Sequence, residues 1–94
     1  MRTEPLDGAG VRRKRKFLIL KFVSKYPEGV HEETICARLD MITGCTHYRL
    51  KVYIHELNRG GWLNRKENGL CKLPKPLEAL YAEMVKWDSD IELQ

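Results

Sequence analysis

Ninety-four residues leave room for one packed domain and no second core. The chain is 43% hydrophobic and 32% charged, with a formal net charge of +4, which suits a globular chain with a heavily charged surface. The size excludes a Rossmann domain or a barrel enzyme, three cysteines (Cys36, Cys45 and Cys71) cannot all pair into a disulfide scaffold, and no apolar run approaches the ~20 residues of a membrane span.

Residues 1–10 contain Pro5, Gly8 and Gly10 and show no periodicity, so they read as a flexible tail. Five consecutive basic residues follow: Arg12, Arg13, Lys14, Arg15 and Lys16. They run into Ile19, Phe22, Val23 and Tyr26, spaced i, i+3, i+4 and i+7 as on one face of a helix. Pro27 and Gly29 stop the pattern, so a first helix is expected over residues 12–25. Its apolar run, 17–23, is interrupted by Lys21 and lacks a small-residue cleavage site, which makes a poor signal peptide. A reducing, cytoplasmic location is expected.

Val30 suits a short strand. His31, Glu32, Glu33 and Thr34 open a second helix, with the acidic pair at the positive end of its dipole. Ile35, Cys36 and Leu39 form its inner face, and it is expected to end near Asp40, with residues 41–45 as a turn. A third helix starts at a hydroxyl N-cap, Thr43 or Thr46, and runs to about Asn58, before Gly60 and Gly61. Two short runs then flank Asn68-Gly69, a hairpin signal that calls for a type I′ turn. Pro76 suits the first position of a fourth helix. Leu77, Leu80, Tyr81 and Met84 form its stripe, with Val85 and Trp87 beside them, and residues 88–94 form an acidic tail.

Charge is unevenly spread, at +6 over residues 1–26, +2 over 27–75 and −4 over 76–94. One concentrated cationic side is the footprint of a nucleic-acid-binding face; ordinary solvated charge is the plain alternative. On the third helix, Leu50, Tyr53, Ile54 and Leu57 share one stripe and belong in the core. The opposite face holds Tyr48, Lys51, Val52, His55 and Arg59, with His47 and Arg49 in the first turn. Lys and Arg can read guanine in a major groove, and a Val methyl can meet a thymine methyl. The same Tyr48 and Val52 would also suit a partly buried or dimer surface.

The stretch RLKVYIHELNRGGWL, residues 49–63, resembles the recognition helix and wing entry of the winged helix–turn–helix family. VHEETICARL, residues 30–39, resembles the family's first helix–turn–helix helix, and residues 62–73 resemble its wing. The resemblance covers residues 15–75. It implies a mainly α fold with a small β-hairpin: a three-helix core, a wing and an extra C-terminal helix. It divides the chain into a tail (1–10), a winged domain with an N-terminal basic arm (11–75), and a C-terminal helix with an acidic tail (76–94). The segment from Leu39 to Thr46 is a helical turn longer than a tight helix–turn–helix corner, so either the third helix begins at Thr43 or the turn is enlarged.

The resemblance implies a small protein that binds double-stranded DNA as a sequence-specific transcriptional regulator. Thr46, His47, Tyr48, Arg49, Lys51, Val52 and His55 are the expected recognition-helix residues. Arg65, Lys66, Asn68 and Lys72 are the expected wing contacts, and Arg12, Arg13, Lys14, Arg15 and Lys16 the expected phosphate contacts of the arm. A homodimer through Leu77, Tyr81, Met84 and Trp87 is expected from the two-fold logic of such proteins. A winged-helix adaptor within a transcription or replication complex is the alternative, with the Tyr48–Val52 strip as its partner surface; a sequence-neutral DNA coater is another. No enzyme motif, cofactor loop, small-molecule site or metal-ligand spacing stands out: there is no C-x-x-C pair, and Cys36 and Cys71 read as small buried hydrophobes.

Overall fold

The computed structural model describes residues 9–83. Its elements run α1 (Ala9–Val23), β1 (Val30–His31), α2 (Glu32–Thr43), α3 (His47–Arg59), β2 (Asn64–Arg65) and β3 (Leu70–Lys72), and a fourth helix, α4, spans residues 77–83. The domain is mainly helical with a small three-stranded antiparallel sheet.

Helix α1 differs from expectation at both ends. Ala9 and Gly10, expected in a tail, belong to its first turn, and it ends at Val23 rather than at Lys25. The Ser24 hydroxyl donates to the Lys21 carbonyl at 2.6 Å, and the Tyr26 amide takes the Val23 carbonyl at 2.9 Å, so the last turn is drawn into a tight bend before Pro27. The remaining residues of the expected tail, 1–8, lie outside the described part, as do residues 84–94.

Helix α2 runs one turn further than expected, to Thr43. The Thr43 hydroxyl bonds back to the Leu39 carbonyl at 2.7 Å, so this residue closes α2 instead of opening α3. Gly44 then takes the left-handed conformation (φ 73°) and donates its amide to the Asp40 carbonyl at 2.8 Å. A side chain there would strain the backbone, which is why glycine ends the helix. Thr46 is the N-cap of α3, its hydroxyl accepting from the Arg49 amide at 3.1 Å. The extra length between Leu39 and Thr46 is therefore helix, and residues 44–46 alone form the corner.

The sheet has the order β1-β3-β2, with Val30 opposite Cys71 and Arg65 opposite Cys71 on the other side. The hairpin is present, but its turn is not type I′, which needs positive φ at both central residues. Asn68 has no positive φ; only Gly69 does, at 94°. The Gly69 amide donates to the Lys66 carbonyl at 2.9 Å, and the Lys66 amide to the Leu70 carbonyl at 2.9 Å. This is a three-residue connection in which an ordinary turn is followed by a left-handed glycine.

The core forms where the three helices meet the sheet. Ile19, Leu20 and Val23 of α1 meet Ile35, Cys36 and Leu39 of α2 and the stripe Leu50, Tyr53, Ile54 and Leu57 of α3, with Leu63 and Cys71 of β3. The stripes of α2 and α3 are buried as expected, whereas in α1 Leu20 joins Ile19 and Val23 in the core and Phe22 and Tyr26 are only partly buried against it. Each fully buried Leu or Ile contributes about 1.5–3 kcal/mol relative to exposure. Pro76 sits one place before the first helical residue of α4, and its carbonyl accepts the Ala79 and Leu80 amides. Leu80 is buried and Leu77 packs on the core. No helix among the described residues is long and apolar enough to cross a membrane.

Candidate nucleic-acid interface

The N-terminal half of α3 turns the face opposite its core stripe outward. Thr46, His47, Tyr48, Arg49 and His55 are exposed, while Lys51 and Val52 are half-buried. Tyr48 is 78% exposed, so the reading of it as part of the core is excluded within this chain. Lys51 and His47 of this helix are each held by an acid of α2. Lys51 Nζ lies 2.6 Å from Glu33 Oε2, and His47 Nε2 lies 3.2 Å from Asp40 Oδ2. The hydrogen bond from Lys51 holds the Glu33 carboxyl below the usual carboxylate range, and the same bond raises Lys51 above the ordinary lysine value. The pair is charged at neutral pH, and a phosphate approaching Lys51 must compete with Glu33.

The expected basic arm is part of α1, and winding it into a helix scatters its charges around the axis. Arg12 and Lys14 are exposed; Arg13, Arg15 and Lys16 are half-buried. Lys16 Nζ reaches Glu56 Oε1 of α3 at 2.8 Å, and Arg15 Nη1 donates to the Tyr53 hydroxyl at 3.4 Å. These two side chains join α1 to α3, which corrects the picture of a free cationic arm. Arg15 nonetheless comes to the corner: Arg15, Gly44, Cys45, Thr46 and Arg49 line one shallow notch beside the start of α3. Backbone amides and the helix dipole make such an end favourable for an anion.

In the hairpin, Lys66, Asn68 and Lys72 are exposed. The Asn68 side chain is engaged locally, its Oδ1 accepting from the Leu70 amide at 3.0 Å, so it shapes the turn. Arg65 is bound elsewhere. Its Nε and Nη2 donate to the two carboxylate oxygens of Glu32 at 2.8 and 2.9 Å, with both side chains largely covered. The bidentate bond from Arg65 pulls the Glu32 carboxyl below its ordinary value against the opposing effect of burial. Arg65 thus fastens the hairpin to α2, and of the four expected wing contacts it is the one whose charge is spent within the fold.

Of the expected dimer residues, Leu77 packs against the core of its own chain and Tyr81 lies half-exposed against Phe17, ring centroids 4.5 Å apart. Met84 and Trp87 fall outside the described residues.

The residues that sequence reasoning missed are acidic, apolar or, in one case, a histidine. Glu32, Glu33 and Asp40 decide which cations stay available, yet only their place near helix ends was visible. Met41 and Ile42, at the end of α2, are 91% and 68% exposed, and together with Tyr48 they put large apolar side chains on both sides of the 44–46 corner. His31 was also missed: it caps α2 by accepting the Glu33 amide on Nδ1 at 3.1 Å, a place where Ser, Thr, Asp and Asn are the usual residues.

Cys36, Cys45 and Cys71 are free and buried, and burial pushes the thiols of Cys36 and Cys71 up to about 11, which keeps them protonated at neutral pH. Among the described residues no three His, Cys, Asp or Glu side chains come together in a metal-holding group. Compared with known protein families, with characterised proteins and with solved structures, the chain finds no match.

Proposed function

We propose that this chain is a winged helix–turn–helix domain that binds double-stranded DNA and regulates transcription, with the first turns of α3 in the major groove and the hairpin as a wing on flanking phosphates. The observation that carries this reading is the α2–α3 corner. Two helices are joined by residues 44–46, and the second begins with a hydroxyl cap and presents His47, Tyr48, Arg49, Val52 and His55 on its outer side. Three helices followed by the β2–β3 hairpin, with β1 joining the sheet beside β3, fit the three-helix core and wing that the resemblance implies and support the same reading. In this reading Arg49 and Lys51 reach guanine edges, Lys51 by exchanging Glu33 for the base, and Val52 meets a thymine methyl. Lys66, Lys72, Arg12 and Lys14 contact phosphates and set affinity without sequence choice.

Selection of bound sequences from a random duplex library, followed by titration at two salt concentrations, tests the proposal. A recurring motif whose affinity falls with salt supports it; no binding to any duplex at low salt overturns it. Arg49→Ala is expected to change the selected motif, whereas Lys14→Ala weakens all sequences alike. A palindromic motif assigns two copies per site, paired through the α4 surface around Tyr81; a single half-site assigns one.

One observation favours a second reading, a protein–protein adaptor. Met41 and Ile42 before the corner and Tyr48 after it are exposed large apolar side chains, and Glu33 and Asp40 already engage Lys51 and His47 beside it. Under this reading Met41→Ser together with Ile42→Ser abolishes capture of a protein partner, and no duplex is shifted.

A further inference from the structure

We infer that His31 is a positioning residue for the wing, a clip whose neutral imidazole spans from the cap of α2 to the hairpin turn. The hydrogen-bonding chemistry of its two ring nitrogens is fixed by what they face. Nδ1 meets the Glu33 backbone amide at 3.1 Å, a group that can only donate, so Nδ1 must offer its lone pair. Nε2 meets the Asn68 backbone carbonyl at 2.7 Å, a group that can only accept, so Nε2 must carry the proton. One tautomer satisfies both, the neutral ring protonated on Nε2. The imidazolium keeps the bond to Asn68 but sets an N–H against the Glu33 N–H.

The turn is shaped to receive this ring. A Cβ on Gly69 would lie 2.6 Å from His31 Nε2, so the glycine backbone leaves the space the imidazole fills, at a φ of 94° that also favours glycine. Two further bonds reach the hairpin from the same end of α2: the Glu32 amide donates to the Gly69 carbonyl at 2.8 Å, and Glu32 holds Arg65. These fix the base of the hairpin and the glycine. The contact from His31 to Asn68 fixes the residue at its tip, and with it the place from which Lys66 and Asn68 face outward. Only for the purpose of that placement does this inference rest on the DNA-binding reading.

His31→Asn separates the two halves of the clip. Asparagine is a favoured N-cap and supplies an acceptor near the position of Nδ1, but it has no atom at the position of Nε2. The expected result is a melting temperature close to that of the native chain, restored relative to His31→Ala, while the amides of residues 67–69 lose hydrogen-exchange protection and gain fast motion by nuclear relaxation. Imidazole nitrogen shifts of the native protein at neutral pH should report a proton on Nε2 of His31. A ring protonated on Nδ1, or a turn as ordered in His31→Asn as in the native chain, overturns the inference. On DNA found by selection, His31→Asn should bind several-fold more weakly with a shallower salt dependence, and unchanged affinity and slope would overturn the role of the clip in binding. If the native chain binds no duplex, the DNA reading fails, and the measurements on the free protein still decide the clip.

Discussion

At its N-terminal end α2 is bonded on three sides: Glu32 to Arg65 of β2, Glu33 to Lys51 of α3, and His31, its cap, to the hairpin turn. At its C-terminal end Met41 and Ile42 project into solvent, and the chain turns the corner on a glycine whose added Cβ would meet nothing within 4 Å. Polar side chains at the first end are consumed in building the domain; the apolar side chains at the second stay largely exposed among the described residues. The difference teaches that cation content alone does not locate a binding surface. The charged groups nearest the base of the hairpin are structural, and the exposed apolar corner is where the fold still has contacts to give.

The largest expected effect falls at the bonded end. Arg65→Ala leaves the covered Glu32 carboxylate without its bidentate partner and should cost about 2 kcal/mol, after allowing for the water that still reaches the pair. For a domain of this size that is a fall of roughly 8–16 °C in melting temperature, readable by circular dichroism. A loss below about 0.5 kcal/mol would show that the clamp is incidental and would erase the contrast between the two ends.

Acid exposes the same end. Because Arg65 holds the Glu32 carboxyl below its ordinary value of 4.5, the pair contributes stability that is fully present above that value and is lost as pH falls through the lower folded value. Melting temperature should therefore fall as pH drops below 4.5, and less so in Glu32→Gln, which is weaker at neutral pH but has no carboxyl to protonate there. Parallel curves for the two proteins would break the assignment.

At the corner, Thr46→Ala removes the cap of α3 and should cost about 1 kcal/mol by chemical denaturation. The smallest effect is expected for Met41→Ser with Ile42→Ser, which should change stability by no more than about 0.5 kcal/mol. A cost above about 1 kcal/mol would mean that the exposed end of α2 packs on something after all, and the comparison would need redrawing.

Helix faces were legible in the sequence because their signal is local. Leu50, Tyr53, Ile54 and Leu57 repeat within one helix, and all four are buried. The hairpin was legible from Asn68-Gly69, but not its turn, since the same dipeptide serves a type I′ turn or a turn closed by a left-handed glycine, and the His31 ring packed against Gly69 belongs to a distant segment. Arg65 and Lys16 looked like phosphate ligands for the same reason. Their acids, Glu32 and Glu56, lie 33 and 40 positions away, and no spacing rule pairs them. The candidate site was legible in outline along α3. What stayed hidden was the subtraction of charge by α2, a property of the packed helices and not of any one of them.

The central strand has a bearing on how the domain comes together. It joins two ranges of contact: it pairs with β2 across a three-residue turn, but pairs Cys71 with Val30 across about forty intervening residues, a span as long as the one that brings Lys16 of α1 to Glu56 of α3. The β2–β3 hairpin closes locally, whereas β1 gains its partner only when that longer loop is closed. A polypeptide interrupted before Leu70 loses the strand that holds both edges of the sheet, and with it the turn that His31 and Glu32 grip. Both edges of the sheet thus wait on residues 70–72, and synthesis must pass Lys72 before the hairpin beside α3 can take its final shape.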